Sequence, residues 1–142
     1  MSRLKDIGIK VLTPESPDRG GYAHAILAEL QAMVERLLTM GQEDSIDLRG
    51  LPMGPGDYDR LKEILGQGEV VATIQAMGPT HIFETAYPGI WWVTHRNMDE
   101  EVVADLIEVT MQPQILKSHG EDIREGLERL QERLKELWGA HD

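Results

Sequence analysis

Four carboxylates and two histidines stand where acid–base or metal chemistry would draw on them: Asp47, Glu69, Glu84 and Glu108, with His81 and His95. Each falls inside or at the end of a strand-like segment. A carboxylate on a buried face must be paired or shifted in pKa, which is one route to an acid–base site. Arg49 and Arg96 are the available partners, and ion pairing or turn capping is the expected role. His81 and His95 could share a sheet face, but two imidazoles alone would make an open, weak metal site. His81 and Glu84 are an odd number of residues apart, so they point to opposite faces of one strand. His24, His119 and His141 add none of the short spacings of a metal motif. Gly66-Gln67-Gly68 lacks the third glycine of a dinucleotide fingerprint and follows a helix, where that fingerprint follows a strand. No Ser–His–Asp set, phosphate loop or paired-carboxylate motif is readable. No catalytic residue, metal or cofactor is expected.

The second chemical feature is aromatic. Trp91 and Trp92 are adjacent in a strand-like run, so their indoles point to opposite faces. Ile90, Trp92 and Thr94 share one face; Trp91, Val93 and His95 share the other. If helices cover only one face, one indole is exposed, and exposed large aromatics are common binding anchors. The alternative is that both are buried. Phe83 and Tyr87, on the neighbouring strand, would widen such a patch.

The elements that must position these groups can be read from turn chemistry and periodicity. Leu27, Leu30, Val34, Leu37 and Leu38 recur at three- and four-residue spacing, predicting a helix over 22–40 that ends at Gly41. A short strand is expected over 45–49. Asp57 is the expected N-cap of a helix that runs through Leu65 and buries Leu61, Ile64 and Leu65. Four strands follow, over 69–77, 80–87, 90–96 and 101–109, separated by Gly78-Pro79, Pro88-Gly89 and 97–100. Connections this short force antiparallel neighbours. Ser118-x-x-Glu121 fits a capping box, and Ile123, Leu127, Leu130, Leu134 and Leu137 then alternate spacings of four and three. Packing over one sheet face is the expected fate of this seam, and self-association through 121–138 is the alternative.

The fold class is therefore α+β: an antiparallel meander of four to five strands with helices packed mainly on one face. The 142 residues are expected to form one domain, with 1–21 a partly mobile arm that includes an edge-strand candidate over 7–12, and 118–142 an amphipathic helix. The absence of cysteine excludes disulfides, thiolate nucleophiles and cysteine-ligated iron–sulfur clusters. A net charge of −11 argues against a nucleic-acid partner. No apolar run is long enough for a membrane span, and the first residues lack the apolar core of a signal peptide, so the expected address is the cytoplasm.

Leu65-Gly66-Gln67-Gly68-Glu69-Val70 and Pro88-Gly89-Ile90-Trp91-Trp92-Val93, in this order, with Ile46–Arg49 and Leu51-Pro52-Met53 upstream and Pro113 downstream, carry a family resemblance. Over residues 41–117 the chain resembles the conserved C-terminal region of the HupH/HyaF-type hydrogenase expression and formation proteins. The resemblance implies an accessory role in maturing a nickel–iron hydrogenase, with the iron–sulfur small subunit or its precursor, and other maturation proteins, as partners. The expected role is non-catalytic holding of that client by Trp91, Trp92, Glu84, Arg49, Asp47 and Glu69. Two alternatives are a homo-oligomerising module, including a homodimer, and a metal-binding or delivery protein built on His81 and His95.

Overall fold

The computed structural model describes residues 21–139. The expected arm over 1–21, apart from Gly21, lies outside the described residues, as do the strand candidate over 7–12 and His141. The chain divides into two compact units, one reaching Met111 and one starting at Gln112. In the first, the order is α1 (Gly21–Met40), β1 (Asp44–Asp47), a 3₁₀ turn (Leu48–Gly50), α2 (Asp57–Leu65), β2 (Val71–Ala76), β3 (Gly78–Glu84), β4 (Ile90–Arg96) and β5 (Val102–Val109). The second contains a 3₁₀ turn (Gln114–Leu116) and α3 (Gly120–Leu137).

The sheet order is β1-β5-β4-β3-β2, and every neighbouring pair is antiparallel. Strands β2 to β5 form the expected meander, and β1 adds the fifth strand beside β5. Met77 alone separates Ala76 from its partner Gly78, so this turn sits one residue before the expected Gly78-Pro79. The reversal depends on Gly78: its φ is +103°, and a Cβ there would lie 2.2 Å from the Arg96 carbonyl oxygen. Asn97 organises the β4–β5 turn, its side-chain oxygen accepting from the backbone N–H of Asp99 and of Glu101 at 2.9 Å each.

Helices α1 and α2 share one core with one face of the sheet. Ala23, Ile26, Leu30, Met33 and Leu37 of α1 and Leu61 and Leu65 of α2 cluster with Ile90, Trp92, Ile107 and Val109. The buried stripe of α1 is rotated from the expected one. Ala23, Ile26 and Met33 fill it, Leu27 and Val34 lie at its edge, and Leu38 is exposed. The helix ends as expected at Gly41, whose φ is +68° and whose N–H donates to the Leu37 carbonyl at 3.0 Å.

Two expected caps form differently. Gly56, not Asp57, is the N-cap of α2, and Asp57 uses its carboxylate to accept from Gly54 N–H at 2.7 Å, fixing the turn before the helix. In the second unit, His119 is the N-cap of α3 and makes no side-chain capping bond, so the Ser118–Glu121 box is not the cap. The sequence favoured oxygen-bearing residues at both positions, but the turn geometry places a glycine and a histidine there. Within the described residues of the second unit nothing covers the seam of α3, and Ile123, Leu127, Leu130, Leu134 and Leu137 are 47–60% exposed.

Replacing Gly78 with alanine is expected to lower stability by ~1–3 kcal/mol, because it combines a left-handed backbone with a collision against fixed backbone. Urea titration followed by tryptophan fluorescence measures it.

Candidate functional site

Chemistry-bearing side chains converge at the middle of the helix-covered sheet face. Successive residues of β5 alternate faces, so Asp105 falls in phase with Ile107 and Val109 and enters the core. It is 5% exposed. One carboxylate oxygen accepts from the Trp92 indole N–H at 2.7 Å and from the Thr94 hydroxyl at 2.9 Å. The other accepts from the Tyr58 hydroxyl of α2 at 2.5 Å. A buried carboxylate is costly unless its lone pairs are used, and here three donors from two elements use them.

The rings around this carboxylate pack with defined geometry. Tyr58 meets Trp92 edge-on at 5.4 Å, and Phe83 stacks on Trp92 at 6.2 Å. The Lys62 ammonium lies 5.0 Å from the Trp92 ring, 5.5 Å from Tyr58 and 5.8 Å from Phe83, so one cation serves three ring faces. The Tyr58 hydroxyl is held far above its ordinary pKa, first by burial and then by its bond to Asp105 and that group's charge. Tyr58 therefore stays a donor at any physiological pH. The cluster has its hydrogen bonds satisfied internally, and its chemistry is to lock α2 onto the sheet.

Both tryptophans are buried, Trp92 at 0% and Trp91 at 5% exposure. Of the two readings left open by the sequence, burial of both indoles is the one found. Trp91 donates its indole N–H to the Thr110 carbonyl at 3.0 Å. In register beside it are Glu84 of β3 and Glu108 of β5, placing two half-buried carboxylates astride one indole. Glu84 accepts from Gly89 N–H at 3.4 Å, a turn contact. Burial raises the Glu108 pKa, with His95 opposing and Glu43 adding to the rise.

The remaining expected site residues are dispersed. Asp47 and Arg49 lie at the β1 end, where the Asp47 carboxylate accepts from Arg49 N–H at 3.1 Å and the Arg49 guanidinium donates to the Val102 carbonyl. Glu69 is exposed ahead of β2, at the opposite edge of the sheet. Arg96 donates to the Glu100 carbonyl at 2.9 Å. These residues do not form one patch with Trp91 and Trp92.

The shared face that the sequence left open for His81 and His95 is excluded by register. His81 pairs with Thr94 and His95 with Thr80, so the two imidazoles point to opposite faces. His95 is held by Thr80 through Nδ1 at 2.8 Å. No group of three or more potential metal ligands occurs among the described residues, and none of their helices is long and apolar enough to cross a membrane.

What the first unit does present is an apolar groove. It has a volume of about 470 Å³, between α1, the end of α2 and the β3–β4 turn. Leu30, Leu65 and Ile90 form its buried floor, Leu27 and Val34 its half-buried wall, and Ile64 and Tyr87 its exposed rim. Among the described residues Glu35 is the one charged residue in the lining. Tyr87 lies in this turn, past the end of β3.

Two glycine contacts explain how the turn is held at the groove. Gly68 N–H donates to the Glu84 carbonyl at 2.7 Å, and a Cβ on Gly68 would sit 2.5 Å from the Thr85 carbonyl oxygen. Gly89 has a φ of +93°, and its carbonyl accepts from Thr110 N–H at 3.0 Å.

The profile of the family described as HupH hydrogenase expression protein, C-terminal conserved region, matches residues 22–137. The chain is 35% identical over 120 residues to the hydrogenase expression/formation protein HoxQ of Azotobacter vinelandii, covering 83% of this chain and 42% of that one. It is 32% identical over 97 residues to the hydrogenase expression/formation protein HupH of Rhodobacter capsulatus, covering 68% of this chain and 35% of that one. The match thus spans less than half the length of these curated relatives. A solved structure, the hydrogenase expression protein HupH from Thiobacillus denitrificans, superposes with a TM-score of 0.79 at 37% identity, covering 82% of this chain and 97% of that one.

Two outcomes follow from the geometry. Asp105→Ala leaves the buried Trp92 donor and the half-buried Thr94 and Tyr58 donors without their acceptor and is expected to cost ~3 kcal/mol or more, read by chemical denaturation. Glu108 has a raised folded-state pKa, so its stabilising contribution is present at low pH and is lost as pH rises through that value. Glu108→Gln is therefore expected to raise the neutral-pH melting temperature, with the difference from wild type vanishing in acid.

Proposed function

Because the chain belongs to the HupH hydrogenase expression protein family, we propose that it is a non-catalytic holding protein for a hydrogenase component during maturation. The reading takes the client to be the iron–sulfur small subunit of a nickel–iron hydrogenase, or its precursor, met in the cytoplasm. The observation that carries it is the apolar groove of about 470 Å³ walled by α1, α2 and the 87–88 turn. Grooves of this kind receive one apolar face of a partner segment, as helix-in-groove recognition does.

The groove's chemistry limits what fits. Its floor takes aliphatic side chains, and Glu35 favours a segment that also carries a lysine or arginine near its apolar face. The Tyr87 ring at the rim is 50% exposed, the placement of a contact residue that desolvates on binding. Client contact by the buried Trp91 and Trp92 would require the sheet to open. The groove therefore takes the contact role, while Glu84 braces the turn that carries its rim. Exposed Asp47, Arg49 and Glu69 stand on other parts of the surface and act in this reading as separate peripheral contacts.

Capture of the small subunit from cells producing a nickel–iron hydrogenase, identified by mass spectrometry, tests the reading. Wild-type protein is expected to retain it. Ile64→Asp and Tyr87→Ala are expected to weaken capture about tenfold or more while leaving the melting temperature within a few degrees. Equal capture by the variants would remove the groove from the reading. Failure of wild-type protein to retain any hydrogenase component would remove the holding role itself.

A further inference from the structure

Helix α3 carries an apolar seam that nothing in the groove reading uses. Ile123, Leu127, Leu130, Leu134 and Leu137 are spaced four, three, four and three apart, and all are 47–60% exposed. An 18-residue helix gains most of its stability from packing one face, so a seam that its own unit does not cover is an incomplete structure. We propose that α3 is a self-association helix and that its occupant is the α3 of a second copy of this chain.

The width of the seam selects a helix as the partner. In heptad terms the five residues fill only the a and d positions, with Leu127 and Leu134 at a. The positions beside them hold Arg124 and Gln131 on one side and Gly126 and Arg133 on the other. The stripe is thus two residues in seven, the narrow form suited to a coiled coil. A sheet-covering helix presents a broader face, about three in seven. A helix lying in a lipid interface also needs a broader apolar face.

Charge placement points to the same occupant. The whole chain has a net charge of −11, so most surfaces of two copies repel. On α3 the acids are turned away: Glu121, Asp122, Glu125, Glu128, Glu132 and Glu136 all occupy outer positions, and none borders the seam. In a parallel pair the bordering residues meet without like charges. Gly126 faces Gln131 of the second copy, and Arg133, which pairs with Glu136 of its own helix at 3.0 Å, lies toward the C-cap residue Trp138 of the second copy, close enough in register for a cation–π contact. Trp138 is 62% exposed in one chain and available for it. A seam of two heptads is short, so the association is concentration-dependent.

The absence of cysteine makes the test direct. Leu130→Cys, on the seam, is expected to cross-link into a dimer in oxidised glutathione, whereas Glu132→Cys, on the outer side, stays monomeric. Sedimentation of the full chain is expected to approach twice 16.0 kDa at high concentration, and Leu130→Glu is expected to return it to one mass without moving the main thermal transition. A wild-type monomer at several hundred micromolar, or equal cross-linking of both cysteine variants, overturns the proposal. So does a monomer that floats with phosphatidylcholine vesicles, which would assign the seam to lipid. These readouts are independent of client capture, so either reading can fail alone.

Discussion

The Asp105 carboxylate is the constraint on which the arrangement of the first unit depends. A carboxylate at 5% exposure with no cation bonded to it among the described residues survives by accepting from three donors, and those donors come from β4 and α2. Its position therefore dictates theirs. Trp92 must present its indole N–H inward, Thr94 must lie on the same face, and α2 must run where Tyr58 can reach. Burial of Leu61 and Leu65 supplies most of the energy of that packing, but apolar contact alone would tolerate a sliding helix. The polar cluster removes that freedom.

The same cluster also serves the groove. Helix α2, fixed by Tyr58 near its start, brings Ile64 and Leu65 to the groove from its other end. The Gly68 and Gly89 contacts hold the β3–β4 turn that carries Tyr87 and Pro88. A pocket lined by an aliphatic floor is thus kept open by polar bonds and backbone contacts outside it. This separates stability from recognition: rim residues can change without loosening the frame.

Much of this architecture was legible in the chain. The meander and its antiparallel sense followed from short turns at regular spacing, β1 was readable as a strand but its joining the sheet was left open, and α1 with its glycine stop followed from the spacing of its leucines. Asp105 was overlooked, although its phase with Ile107 and Val109 put a carboxylate on a buried face, and that phase was the available signal. Tyr58 and Lys62 gave less warning, since a tyrosine and a lysine at helical spacing read equally well as surface. The misplaced facing of His81 and His95 has a simple cause. One residue of register decides which face every side chain takes, and the 85–89 loop sets β3 against β4 so that 81 meets 94 and not 95. Burial of both indoles was not decidable from alternation, because alternation tells which residues share a face and not what covers it.

The crossing at Gly68 bears on how sequences of this kind are compared. A side chain there would run into the backbone of Thr85, whatever its chemistry and whatever the protein binds. Gly66-Gln67-Gly68 is thus a signature of chain routing, and finding it in another protein is grounds to infer this turn but not a shared ligand. The informative positions for divergence of binding lie instead at Leu27, Val34, Ile64 and Tyr87, where the frame permits variation. Two proteins with the same glycines and different residues at those four would be expected to share a fold and part company over what they carry.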